Sequence, residues 1–397
     1  MDPIEAPDLA DPRFKANPYP FYARLRAEAP VYRVALPFWG AVSLVTRYDD
    51  VLQALRDERL ANDWSPRMPW LLRRFARPLT RGMLNRDPPD HTRLRNLVSK
   101  AFTPRLVERL RERIQAVCDQ LLDVAEARGR MELIGDFALP LPITIIGDLL
   151  GVSSRDRLRF HAWSRSMIGV SRNTDALRAL PGIWALFRLL RRLFAERRAD
   201  PRDDLVTALV QAEESGDRLS EEELLSMVIL LLIAGYETTT NLIGSGTLAL
   251  VLHPKERDRW RQNPALAETA VEELLRYTSP LEVGSVRMAR EPVIFGSVTV
   301  APGELVAPVL GSANRDERQF KDPDALDIER EPNRHLAFGQ GPHFCLGAPL
   351  ARMEAGIALD TLLRRFPDLR LAQPPESLPW RKSPVLRGLE SLPVTVA

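Results

Sequence analysis

The ten residues Phe338-Gly339-Gln340-Gly341-Pro342-His343-Phe344-Cys345-Leu346-Gly347 set one cysteine among three glycines, just ahead of a helical run. Glycine serves where backbone must approach a ligand closely or take a positive φ. A cysteine near a helix N-terminus feels the positive end of the dipole and is favoured as thiolate. A lone thiolate in such a cradle can be a nucleophile, with His343 two residues away as its base, or a ligand to iron; the spacing leaves both open. A second constellation, Ala234-Gly235-Tyr236-Glu237-Thr238-Thr239-Thr240, puts a glycine and three threonines, poor helix formers, inside a Leu/Ile-rich run. It reads either as a packing notch or as an acid–alcohol pair able to move protons. Glu273 and Arg276 share a helix face at i and i+3, the spacing of an ordinary surface ion pair. His91 and Arg95 lie four apart on another helix, as anion donors or as a solvated basic face.

These side chains need elements to hold them. Ser220-Glu221-Glu222-Glu223 is a capping box that launches a helix expected to reach Leu252. At 1.5 Å per residue it would span ~48 Å, the central beam of an α-rich fold. Residues 104–128 read as one amphipathic helix, with Leu106, Leu110, Ile114, Val117, Leu121 and Val124 inward and Cys118 beside them as a small core thiol. Residues 177–198 read as a helix covering the body, with Trp184, Phe187, Leu190 and Phe194 on its apolar side. Further helices are expected over 266–277 and 348–365. Short strands are expected over 31–34, 41–46, 292–300 and 305–309, and a loop-rich stretch over 314–334. The fold class is mainly α with a minor β part. We expect a single domain over residues 1–397, with a small β-rich N-terminal subregion.

Composition narrows the function. A chain of 397 residues and 45% hydrophobic content can bury about three quarters of its surface and argues against disorder. Basic and acidic residues balance at 55 against 53, for a net charge of +2. That leaves no basic excess for nucleic acid. Fifty of the basic residues are Arg and five are Lys. Two cysteines exclude a disulfide framework and an all-cysteine zinc site. The N-terminus is acidic and proline-rich, and the most apolar run, 224–235, is shorter than the ~20 residues of a membrane span. A cytoplasmic protein without a membrane anchor is expected.

The cysteine segment resembles the signature of the cytochrome P450 family, F-G-x-G-x-[H/R]-x-C-x-G, at every position. The resemblance implies the P450 fold, with the long central helix over haem b (iron protoporphyrin IX). It makes Cys345 the thiolate ligand of the iron, cradled by Phe338, Gly339 and Gly347. Ala234, Gly235, Glu237 and Thr238 match the family's A-G-x-[D/E]-T segment. This implies a groove at Ala234 and Gly235 that admits dioxygen, with Glu237 and Thr238 catalytic in proton delivery. Glu273 and Arg276 match the buried structural E-x-x-R pair, with His335 at the position of its third member. His91, Arg95, Arg287 and His343 match partners of the haem propionates.

By family position the substrate pocket is expected from Trp70, Leu71, Met83, Leu84, Leu230, Ile233, Val283, Val286 and Leu386. Its apolar lining implies a hydrophobic substrate such as a fatty acid, terpenoid, steroid or macrolide precursor. The implied reaction inserts one oxygen atom of O₂ by hydroxylation or epoxidation. Electrons would come from a ferredoxin or flavodoxin with its NAD(P)H reductase, docked on arginines such as Arg105, Arg109, Arg113 and Arg352. A monomer is expected. The rival readings are a peroxide-driven peroxygenase, a non-catalytic haem sensor or carrier, and a cysteine hydrolase using Cys345 and His343.

Overall fold

The computed structural model describes residues 4, 7–36, 40–67, 80–153, 155–156, 173–212 and 219–396. Trp70 and Leu71 lie outside the described residues. The chain forms two compact units: one from Met1–Leu60, Glu112–Leu141 and Glu237–Ala397, the other from Ala61–Arg111 and Pro142–Tyr236.

The first unit carries most of the strands: β1 (Val31–Leu36), β2 (Gly40–Val45), β3 (Leu60–Ala61), β4 (Arg130–Glu132), β5 (Arg287–Ala289), β6 (Val293–Phe295), β7 (Val298–Val300), β8 (Leu305–Pro308), β9 (Arg370–Leu371) and β10 (Pro393–Thr395). The main sheet has the order β1-β2-β8-β5-β3. Val31 pairs antiparallel with Val45, and Val42 pairs parallel with Leu305. β6 and β7 form a hairpin, and β4-β10-β9 a small third sheet. The central strands are buried on both faces, β2 over Val42–Val45 and β8 throughout, and Val45, Val51, Val293, Phe295 and Val306 join one apolar core.

Two helices of this unit matter for the site. Ala267–Thr278 follows a short 3-10 turn, and Ala348–Arg365 begins just after the cysteine loop. The expected helix over 104–128 is two helices, Pro104–Arg109 and Arg111–Arg128. At Leu110 the N–H turns to the Val107 carbonyl, three residues back, and the ladder breaks. The buried stripe of the second helix is Ile114, Val117, Cys118, Leu122 and Ala125, while Val124 is exposed. The inward face is therefore rotated by about one residue from the expected one, because adjacent apolar pairs such as Leu121 and Leu122 satisfy either face.

In the second unit the helix over 177–198 extends to Asn173–Ala199. Leu186, Leu190, Leu193 and Phe194 are buried, but Trp184 faces solvent. Arg197 is buried against Asp204 at 2.5 Å and donates to the Gly151 carbonyl. Gly151 has φ +66°, and a Cβ there would lie 2.1 Å from Asp204 Oδ2, so the turn requires glycine.

The central helix, Glu221–Leu252, runs through both units. The capping box forms as read: Ser220 N–H donates to Glu223 Oε2 at 2.7 Å, and Glu223 N–H to Ser220 Oγ at 3.3 Å. By length and composition alone this helix could cross a membrane, but 67% of its most apolar window is buried within the protein. It is a core helix.

Candidate active site

The cysteine loop is built from backbone that only glycine tolerates well. Gly339 and Gly341 take φ +69° and +76°. A Cβ on Gly341 would stand 2.9 Å from the Leu55 carbonyl oxygen. Gly341–His343 forms a 3-10 turn, and the Cys345 N–H donates to the Phe338 carbonyl at 2.9 Å. Cys345 is a partly exposed cysteine in no disulfide, three residues ahead of Ala348–Arg365, at the positive end of that helix dipole. A Cβ on Gly347 would meet only the Cys345 sulfur, at 4.0 Å. His343 and Phe338 are partly exposed beside it. Cys118 is the opposite case: burial pushes its thiol far up, so it stays protonated.

The segment before the loop is braced from inside. Glu273 and Arg276 are fully buried and joined by two 2.7 Å bonds, not exposed as their spacing alone suggests. Glu273 also accepts from the Asp327 N–H at 3.0 Å and from Arg330 and Asn333 at 3.2 Å. Arg276 donates to the carbonyls of Asn314, Pro323 and Ala325. Each charge is thus fully hydrogen-bonded, the condition for keeping an ion pair in a core. His335 does not join this pair. Its Nε2 bonds Glu272, one residue along the helix and on a different face, at 3.1 Å. Arg330 and Asn333 take the place that the resemblance gave to His335.

On the central helix Glu237 is buried, and its Oε2 accepts from Arg381 Nη1 at 2.5 Å. Arg381 is anchored in turn through its backbone N–H to the Gly388 carbonyl and through Nε to the Leu389 carbonyl. Sequence reasoning missed Arg381, because 144 residues separate it from Glu237. It also missed Glu354, buried on the helix Ala348–Arg365 and hydrogen-bonded to Thr239. Desolvation pushes that carboxyl up to about 8. Glu354 could have been found: it stands in the apolar stripe of Leu350, Ala355, Ala358 and Leu362.

The helix is buried nearly throughout its middle, but one stripe is open. Leu230, Leu231, Ile233, Gly235 and Thr238 are partly accessible, and Ala234 is exposed. A Cβ on Gly235 would press on Ile146 Cδ1 and Cγ1 at 3.1 Å, so Gly235 is also a packing notch.

Within the second unit His91 is buried on the helix Asp90–Ala101, with Arg95 one turn along. Burial, and then the Arg95 charge, hold the His91 imidazole below its usual range. Met83 is buried and Leu84 exposed in the short turn Met83–Asn85. In the first unit Arg287 is buried on β5 and donates to the Leu55 carbonyl at 3.0 Å. Val283 and Val286 are buried, and Leu386, which bridges Leu281, is partly exposed. Of the proposed docking arginines, Arg109 pairs weakly with Asp203 at 3.5 Å, and Arg352 is held by Glu272.

Comparison with known proteins gives the family. The family model for cytochrome P450 matches residues 9–386. The chain is 48% identical to Cytochrome P450 107B1 of Saccharopolyspora erythraea, over 98% of both chains. It is 44% identical to the polyketide biosynthesis cytochrome P450 PksS of Bacillus subtilis, over 97% of both. The crystal structure of myxobacterial cytochrome P450 CYP267B1 with myristic acid superposes with a TM-score of 0.94 at 44% identity, over 99% of this chain and 100% of that one. The chain therefore belongs to the cytochrome P450 family. It is a haem-thiolate monooxygenase that takes electrons from redox partner proteins. The donor set fits haem: a cysteine at a helix N-terminus, a glycine cradle that lets a planar group approach, and a buried guanidinium at Arg287.

Proposed function

We propose that this P450 binds haem b through Cys345 and oxidises long, apolar carbon skeletons of fatty-acyl or polyketide type. Haem bound there supplies the activation of dioxygen. The protein's part is position and proton supply. The helix dipole favours the thiolate, and the Cys345 N–H, donating to the Phe338 carbonyl, fixes the loop that carries it. His91, Arg95, Arg287 and His343 donate to the two propionates. Two protons must reach oxygen in each turnover, and Glu237 and Thr238, adjacent on the central helix, move them. We assign substrate contact to the open apolar stripe at Leu230, Ile233 and Ala234, and by family position to Met83, Val283, Val286 and Leu386. PksS by its name serves polyketide biosynthesis, and the myxobacterial structure holds myristic acid; both support the substrate class. The donor is an acidic ferredoxin or flavodoxin with its reductase, and the protein works as a cytoplasmic monomer, one functional domain.

The carrying observation is the partly exposed Cys345 in its glycine cradle at a helix N-terminus. Reduced protein under carbon monoxide should show the long-wavelength Soret band for which the family is named, and Cys345→His should abolish it. Wild-type protein loaded with haem but lacking the band would overturn the assignment. A panel of fatty acids and macrolactones should convert ferric haem from low to high spin; no response from either class would sink the substrate reading. Turnover should run on O₂ with a donor and only weakly on hydrogen peroxide.

A further inference from the structure

Glu272 is the neighbour of the buried Glu273 but remains 29% exposed, in a surface cleft of about 540 Å³ that it shares with His335, Phe338, Phe344 and Arg352. Its carboxylate accepts from Arg352 Nε at 2.6 Å and Nη2 at 2.8 Å, a bidentate pair. His335 closes the other side. The Ala337 N–H donates to His335 Nδ1 at 3.2 Å, which leaves the ring proton on Nε2 to be given to Glu272. Desolvation opposes ionisation of Glu272, but the bonds from Arg352 and His335 outweigh it and hold the carboxyl at about 2. The Arg352 guanidinium lies 4.6 Å over the Phe338 ring, and the Phe338 carbonyl is the acceptor of the Cys345 N–H. The charge of Cys345 also acts on Arg352. A continuous line of contacts thus joins His335, Glu272, Arg352, Phe338 and Cys345.

We propose that Glu272 and Arg352 are positioning residues that set the reduction potential of the metal held by Cys345, Arg352 raising it and Glu272 offsetting that charge. This rests on the reading of Cys345 as the axial thiolate. The physics is Coulombic: reduction adds an electron, so a nearby cation stabilises the reduced form and a nearby anion destabilises it. Arg352 acts twice, by its charge and by packing on the ring of Phe338, the residue whose carbonyl holds the Cys345 backbone N–H.

Potentiometric titration of the haem-loaded protein tests this, with the carbon monoxide spectrum recorded for each variant. Glu272→Gln leaves the guanidinium uncompensated and should raise the potential. Arg352→Gln leaves the carboxylate and should lower it. Each shift should be roughly threefold or more in the electron-exchange equilibrium, about 28 mV at 59 mV per decade. The double variant should return toward wild type, and Arg352→Lys should keep most of the potential. Raised ionic strength should shrink both shifts, since the pair is partly exposed. A merely structural role would move both single variants the same way. Same-direction shifts, or none, with the thiolate band intact would overturn the proposal. Absence of that band in wild type would instead defeat the axial reading. If Arg352→Gln fails to load haem, Glu272→Gln and Arg352→Lys decide.

Discussion

Burial in the apolar stripe of the helix Ala348–Arg365 raises the Glu354 carboxyl from an ordinary 4.5 to about 8. Between those values the folded protein keeps a proton that the unfolded chain has lost. Its stabilising effect is therefore complete below pH 4.5 and disappears as pH rises through the folded value. Glu354→Gln should remove that slope and gain a few kcal/mol at pH 8 relative to pH 5, measured by urea unfolding at each pH. Gly341 is a second residue with a defined burden. With φ +76° and the Leu55 carbonyl 2.9 Å from any Cβ, Gly341→Ala should destabilise by at least ~1–2 kcal/mol and lower haem retention. Cys345 and its glycines were legible in the sequence because their chemistry is local: a turn, a thiol and a helix start. Arg381 was not, because the turn between the bridged residues Trp380 and Leu389 places it on Glu237 and no local spacing encodes that.

At the scale of elements, the Glu273–Arg276 pair shows how spacing underdetermines environment. The same i, i+3 pair would contribute little on an exposed face. Here both charges are fully buried and together bind six backbone or side-chain partners outside their own helix within 314–333. Glu273→Ala leaves Arg276 uncompensated and should cost ~3–5 kcal/mol, read by chemical unfolding, with the cysteine loop disordered as judged by haem loss. The capping box, by contrast, was fully legible, since its four residues make their own contacts. Ser220→Ala should cost only ~1 kcal/mol and leave the carbon monoxide spectrum unchanged. The 104–128 segment lies between these cases. Its helicity was readable, but its break at Leu110 and the turn of its buried face were chosen by what packs against Ile114, Cys118 and Leu122.

At the scale of the whole molecule, a net charge of +2 produces little long-range field. Recognition of the acidic donor proposed above must then be local. Arg105 and Arg113 are exposed, whereas Arg352 is neutralised by Glu272. Arg105→Glu with Arg113→Glu should slow second-order reduction by a ferredoxin, more at low than at high salt, and leave the substrate-induced spin shift unchanged. Stopped-flow reduction against ionic strength checks this; an unchanged rate would place the docking surface elsewhere.

The amino-acid order by itself determined the thiolate loop, the length and start of the central helix, the helical class and the family, because each depends on contacts among residues close in sequence. Tertiary structure alone decided which partner each buried charge receives: Arg381 for Glu237, Glu272 for His335 and Arg352, Thr239 for Glu354. Removing a charge from water is costly, so its partner is selected by whichever distant segment the packed core delivers to it. Periodicity along the chain carries no record of that choice.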